Sequence, residues 1–152
     1  MRIISLSSIG ESTEIALMLD GQCVEVVGFP SSHTLSEVLW GALEALLLRH
    51  QVVLADIDGF AAVRGPGTYT ALRVGLTALS GLAWALDKPA IGFTVDEIGE
   101  ASDYPESTLA EGLACRCASL AHRHWLVHPP TGYHAHLLPE YGSELRIGQV
   151  KP

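Results

Sequence analysis

A chain of 152 residues suits one ordinary domain, or one complete lobe with a reduced second piece, and is too short for two full domains. Apolar residues make up 48% and charged residues 17%, which excludes intrinsic disorder and leaves more hydrophobic surface than a small monomer easily covers, so a partner is expected. The formal net charge is -8 and the Lys and Arg residues are scattered; a direct electrostatic grip on nucleic acid is therefore not expected, and any RNA connection should be indirect.

The chain opens Met1-Arg2-Ile3-Ile4-Ser5-Leu6-Ser7-Ser8, whose apolar run is too short for a signal peptide. Residues 2–7, 13–19 and 22–27 are β-rich, and Asp20-Gly21 between the last two suits a tight hairpin turn. Pro30-Ser31-Ser32-His33 breaks the pattern, and Thr34 with Glu37 has the spacing of a capping box for a helix over residues 35–48. Gly59-Phe60-Ala61-Ala62-Val63 reads as a short buried strand after Asp56-Ile57-Asp58, whose carboxylates suit the turn better than Mg²⁺. Gly65-Pro66-Gly67 forces a turn, and a helix spans residues 69–86. Ala90-Ile91-Gly92-Phe93 is strand-like, and Thr94 with Glu97 repeats the capping-box spacing. The first hundred residues thus read βββαβαβα. Neither the Leu46-Leu47-Leu48 run nor residues 74–86 reach membrane-spanning length, so no transmembrane helix is expected.

Beyond Ser102 the periodicity weakens, with a candidate helix over residues 108–114 and a candidate strand at Trp125-Leu126-Val127 before Pro129-Pro130. Cys23, Cys115 and Cys117 form no CxxC pair, and their odd number favours a reducing compartment, with the cytoplasm as default. Nothing in the sequence orients Cys23 and His33 as nucleophile and base.

The richest segment is Arg64-Gly65-Pro66-Gly67-Thr68-Tyr69-Thr70-Ala71-Leu72-Arg73. The glycines permit positive φ or a close backbone approach, Pro66 fixes its own φ, and Thr68 or Thr70 can cap the helix. Two uses fit: a phosphate cradle at a helix N-terminus, or a structural turn. Pro66 has no N–H and the segment matches neither GxxxxGK[ST] nor GxGxxG, which favours the turn. In the helix that follows, Ala71, Gly75, Ala78, Leu82 and Ala85 form a small-residue seam, while Leu72, Val74, Leu76, Leu79, Ala83 and Leu86 make the other side apolar, predicting burial nearly all round. The seam can meet helix 35–48, through Leu35 and Leu39 among others, or a helix of another subunit.

Residues 54–101, centred on the RGPGTYTALRVGL segment and ending in Pro89-Ala90-Ile91-Gly92, resemble the TsaB (YeaZ) family, in which an RGPGS/T-F/Y-T-x-L-R-x-G core precedes a small-residue helix. His33, Ser36, Glu37 and Leu39 resemble the start of that family's first long helix. The resemblance implies an α/β, actin- and Hsp70-like (ASKHA) lobe over residues 1–101, with 102–152 a reduced or rebuilt C-terminal segment. It implies no catalytic residue and no cofactor, a nucleotide at a subunit interface being the one alternative. It implies binding to a TsaD-like catalytic subunit through the two long helices, with a TsaE-like ATPase as further partner, in threonylcarbamoyl modification of tRNA adenosine, and a homodimer when TsaD is absent. The partner seam is then assigned to Leu35, Leu39, Ala71, Gly75, Ala78 and Leu82, and Gly75→Leu or Ala78→Glu is expected to block binding with the fold intact.

Two departures bear on this reading. The run Ser5-Leu6-Ser7-Ser8-Ile9-Gly10 stands where the family has an Asp-Thr-Ser-like turn and lacks its carboxylate, which argues against ATP hydrolysis. The segment after Ala101 is too short for the family's second α/β lobe. An enzyme, either an actin-like phosphotransferase or a zinc hydrolase built on His122, His124, His128, His134 and His136, is the alternative from another class. His124 and His128 are its i,i+4 metal candidates, although HExxH is absent. A self-dimerising diverged homologue is the third reading.

Overall fold

The computed structural model describes residues 1–32, 34–101, 112–133 and 137–141. Strands β1 (Arg2–Ser7), β2 (Ser12–Leu19), β3 (Gln22–Pro30), β4 (Gly59–Val63) and β5 (Ala90–Phe93) form one mixed sheet in the order β3-β2-β1-β4-β5. The pairs β1–β2 and β2–β3 are antiparallel, whereas β1–β4 and β4–β5 are parallel. Among the described residues four helices flank it: α1 (Leu35–Arg49), α2 (Tyr69–Ala85), α3 (Val95–Glu100) and α4 (Gly112–Val127). The βββαβαβα order read from the sequence is the order observed, with a short 3₁₀ turn at Leu54–Asp56. At the β2–β3 turn Asp20 and Gly21 both take positive φ, 49° and 83°, the geometry that makes Asp-Gly a hairpin dipeptide.

Side-chain alternation along the strands assigns each helix to a face. Ile4 and Leu6 of β1, Ile15 and Leu17 of β2, and Phe60 and Ala62 of β4 point to the face covered by α1 and α2, where they meet Leu39, Leu43, Leu46, Leu72, Leu76 and Leu79. The intervening Ile3, Met18, Ala61 and Val63 point the other way, onto Cys117, Ala118, Ala121 and Trp125 of α4 and Ile98 of α3. The sheet is thus buried between two helical layers, the arrangement parallel strands require.

The candidate strand at Trp125-Leu126-Val127 is corrected: these residues are the last turn of α4. Aromatic and β-branched residues favour strands only where a pleated surface is available to them. Here Trp125, 5% exposed, is instead the end of a stripe with Ala114, Ala118 and Ala121 at helical spacing. Its ring lies over Gly59, where a Cβ would come within 2.5 Å of the indole. The candidate helix over 108–114 overlaps α4 at residues 112–114, and its remainder lies outside the described residues. No helix among the described residues is long and apolar enough to cross a membrane.

The two capping boxes differ. At Thr94 the box is complete: Thr94 N–H donates to Glu97 Oε2 at 2.7 Å and Glu97 N–H donates to Thr94 Oγ1 at 3.1 Å. That backbone donor, joined by Arg64, holds the Glu97 carboxyl below its usual pKa. At Thr34 the expected box does not form, because the residue sits at φ -94°, ψ 12° instead of in extended geometry and its hydroxyl pairs with Ser32 Oγ at 2.8 Å. Asp56 and Asp58 tie the start of β1 to the turn before β4: Asp56 pairs with the Arg2 guanidinium at 3.0 Å and Asp58 accepts from Arg2 N–H at 2.7 Å.

Two predictions follow from this geometry. Thr94→Ala should lower urea-unfolding stability by about 1 kcal/mol, whereas Thr34→Ala should change it by less than about 0.5 kcal/mol. The second concerns Glu25 on β3, held by Arg49 at 2.7 Å and His50 at 2.8 Å at the end of α1. The Arg49 guanidinium first, then His50, holds this carboxyl below its ordinary value of 4.5. A depressed folded pKa gives stability that is present above the unfolded value and lost as pH falls through the folded one. The stability gap between wild type and Glu25→Gln, measured by denaturation from pH 7 downward, should therefore narrow below pH 4.5; a gap that holds constant would show that the pairing contributes nothing.

Candidate functional site: the groove between the two long helices

Both long helices begin beside the β1–β2 turn, where Leu35 and Ser36 of α1 and Thr70, Ala71 and Val74 of α2 line one hollow with Gly10 and Glu11. Between them lies a groove of about 520 Å³ lined by Leu39, Trp40, Tyr69, Arg73, Val74 and Ala78, with Ser36, Thr70 and Thr77 at its edges. Trp40 is 45% and Tyr69 44% exposed, large apolar areas for a groove wall. Among the described lining residues Arg73 is the one that carries a charge; its guanidinium lies 5.0 Å from the Tyr69 ring centroid and donates to Tyr69 Oη at 2.6 Å. Farther along, the helices close on each other through Leu43, Leu79 and Leu82.

The residues assigned to the seam divide between wall and core. Leu35, Leu39, Ala71 and Gly75 are buried, with Leu39 forming the groove floor, and Ala78 and Leu82 are half-buried where α2 meets α1. The expectation that α2 is buried nearly all round is corrected. Its buried residues Ala71, Leu72, Gly75, Leu76, Leu79 and Ala83 form one stripe, while Tyr69, Thr70, Arg73, Thr77, Gly81, Trp84 and Ala85 are exposed. The expectation that Gly75 can be enlarged with the fold intact is also corrected. A Cβ there would collide with Ser8 Oγ and lie 2.9 Å from a Leu6 methyl, so this glycine seats α2 on the protein's own first strand. Trp40 and Tyr69 escaped the sequence reading; Trp40 follows the buried Leu39, and Tyr69 stands in the first turn of α2 ahead of its first buried residue, Ala71.

The RGPGT turn sits at the head of the groove. Arg64 faces Glu97 at 3.6 Å and Glu140 at 3.8 Å, the Gly65–Pro66 bond is cis, and a Cβ on Gly67 would lie 2.6 Å from Ile9 Cα. Thr68 takes the N-cap position of α2 without a side-chain capping bond, and its N–H donates to Ile9 O at 3.0 Å. Thr70 is exposed and lines both the groove and a neighbouring hollow of about 380 Å³ with Ser31, Ser32, Ser36, Thr68 and Glu11. Among its described lining residues that hollow carries a carboxylate and no Lys or Arg, the wrong sign for a phosphate.

His124 and His128 lie at the exposed end of α4, their ring centroids 5.1 Å apart. Among the described residues no group of three or more His, Cys, Asp or Glu side chains converges as metal ligands. His33, His134 and His136 lie outside the described residues. Burial pushes the Cys117 thiol up to about 12, so it is protonated at neutral pH and not available as a thiolate nucleophile.

The packing at α2 separates its glycines. Gly75→Leu should cost about 3 kcal/mol or more through overpacking against Ser8 and Leu6. Gly81→Ala, which meets nothing within 4 Å, should stabilise the helix by about 0.5–1 kcal/mol. Thermal melts of the two variants check both.

Comparison with known proteins agrees with this architecture. The model of the family "TsaD: tRNA N6-adenosine threonylcarbamoyltransferase" matches residues 29–95. The TsaB protein of Escherichia coli is 31% identical over 93 residues, covering 60% of this chain and 39% of that protein. The threonylcarbamoyltransferase of Sorangium cellulosum is 52% identical over 46 residues, 30% of this chain and 13% of that enzyme. The chain thus matches well under half the length of these curated relatives. Among solved structures, YeaZ from Pseudomonas aeruginosa superposes with a TM-score of 0.57 at 26% identity, over 61% of this chain and 43% of that one. RuvC of Thermus thermophilus superposes with a TM-score of 0.56 over 84% of this chain and 96% of that one; at 10% identity this likeness concerns the fold alone. Over about 60% of its length the chain is therefore similar in sequence to TsaB and in fold to YeaZ, a mixed sheet with helices packed on it.

Proposed function

We propose that this chain is a non-catalytic, partner-binding subunit that supports threonylcarbamoyl modification of tRNA adenosine by docking a TsaD-like subunit along the α1–α2 groove. The observation that carries the reading is the uncovered apolar groove itself, walled by Trp40, Tyr69, Val74 and Ala78. A rigid aromatic on each wall and one arginine are the residue types that concentrate binding energy in protein interfaces. Homology to both TsaB and the threonylcarbamoyltransferases supports pairing of two like lobes.

The non-catalytic half of the proposal rests on the β1–β2 turn. Ser5, Ser7 and Ser8 are buried, Ser8 is packed against Gly75, and residues 5–10 contain no carboxylate to organise a metal and phosphates. The net charge of -8 leaves tRNA to be held by other members of the assembly. Without a TsaD-like partner the same groove serves self-association.

The test is co-purification with the organism's TsaD-like subunit, joined to measurement of complex size. Trp40→Ala and Ala78→Glu should each weaken the complex by about 100-fold, the effect of losing a central interface residue or burying a charge there. Their melting temperatures should stay close to that of the wild type. Undiminished binding by both variants would remove the groove as the interface; retained tRNA modification in a deletion strain would remove the pathway.

A further inference from the structure

Residues 137–141 are far in sequence from the turn after β4, yet they are fastened to it at several points. Glu140 N–H donates to the Arg64 carbonyl at 2.7 Å, and the Glu140 carboxylate lies 3.8 Å from the Arg64 guanidinium. The Tyr141 ring stands 4.9 Å from that of Tyr69, tilted by 36°. Leu137, 7% exposed, is set into the core shared by α2 and β4, whereas the next residue, Leu138, is 74% exposed.

The turn is shaped to receive this segment. Gly65 has a φ of +126°, and a Cβ on it would run into the Glu140 carbonyl oxygen, so glycine answers two demands there, the backbone conformation and the approach of a second backbone. On its far side the contact continues into the groove. Tyr141 touches Tyr69, and Tyr69 holds Arg73 through both its ring and its hydroxyl.

The geometry points to residues 137–141 acting as a latch, a piece of the C-terminal segment that locks the RGPGT turn and, through Tyr69, sets the position of Arg73 in the groove. The fastening is made of contacts that can open without unfolding the sheet. Leu137 stays anchored in the core; beyond it, among the described residues, the fastening has one inter-segment backbone hydrogen bond, an ion pair whose side chains are 28% and 53% exposed, and a ring contact. Such contacts are each worth little, and segments held by them open locally. The C-terminal segment is thereby coupled to the groove whatever partner the groove takes.

Hydrogen exchange on the full chain tests the latch. The amides of Thr68, Leu72 and Val95 report on the turn, since they donate to Ile9, Thr68 and Gly65 carbonyls; those of Leu17 and Ala61 report on the central sheet. Glu140→Pro, which removes the donor to Arg64, and Tyr141→Ala should each accelerate exchange at the three turn amides by about five- to tenfold. Exchange at Leu17 and Ala61 should not change. Unchanged exchange at the turn overturns the latch. So does equal acceleration at both sets of amides, because the segment would then stabilise the whole domain and not the turn.

Discussion

The central strands carry apolar side chains on both faces, and the rest of the molecule is arranged to keep water from both. In β4, Phe60 and Ala62 face α1 and α2 while Ala61 and Val63 face α3 and α4; β1 divides in the same way at Ile4 and Ile3. Each such side chain contributes about 1.5–3 kcal/mol when fully buried, and a domain's net stability is only about 5–15 kcal/mol. A sheet covered on one face alone would forfeit that margin. The helix α4 meets the demand with Ala114, Ala118 and Ala121, small enough to bring the helix axis close to the sheet, and with Trp125 filling the space over Gly59. The likeness to RuvC, which extends over most of both chains, is one of fold alone.

The elements that were legible in the sequence are those whose signals are local. Asp20-Gly21 dictates a hairpin through backbone sterics, and the alternation in β2 and the periodicity of α1 and α2 depend on spacing alone. Signals that depend on the environment were less secure. Thr34 and Thr94 have identical capping-box spacing, yet only Thr94 reaches the extended backbone geometry that lets its hydroxyl turn back to the third residue. Ser32 offers the Thr34 hydroxyl a competing partner. Trp125-Leu126-Val127 read as strand from residue type, whereas the spacing of Ala114, Ala118, Ala121 and Trp125 was the better guide because it reported the surface to be covered.

The groove shows a different limit. A small residue in an apolar helix permits close approach, but its identity does not say what approaches. Gly75 and Ala78 are one helical turn apart and looked equivalent; the fold turns Gly75 onto Ser8 of its own chain and leaves Ala78 on the groove wall. Self-burial and partner burial draw on the same residue types, so only the three-dimensional arrangement separates them. Exposed aromatics near the buried stripes, Trp40 directly after Leu39 and Tyr69 in the first turn of α2, are the feature that distinguishes the open side.

The same reasoning settles how the RGPGT turn uses its backbone. A phosphate cradle needs several N–H groups converging on one point. Here Arg64 N–H donates to Phe93 O and Thr68 N–H to Ile9 O, and Pro66 has none to give. At most two of the turn's five residues keep a donor for an anion, and the hollow beside them carries Glu11. The backbone of this turn is instead spent on joining elements. Arg64 ties β4 to β5, Gly65 O accepts from Val95 at the start of α3, Thr68 ties α2 to the β1–β2 turn, and Arg64 O receives Glu140. These bonds make the turn the junction that sets where α2 begins, and α2 forms one wall of the groove beside it.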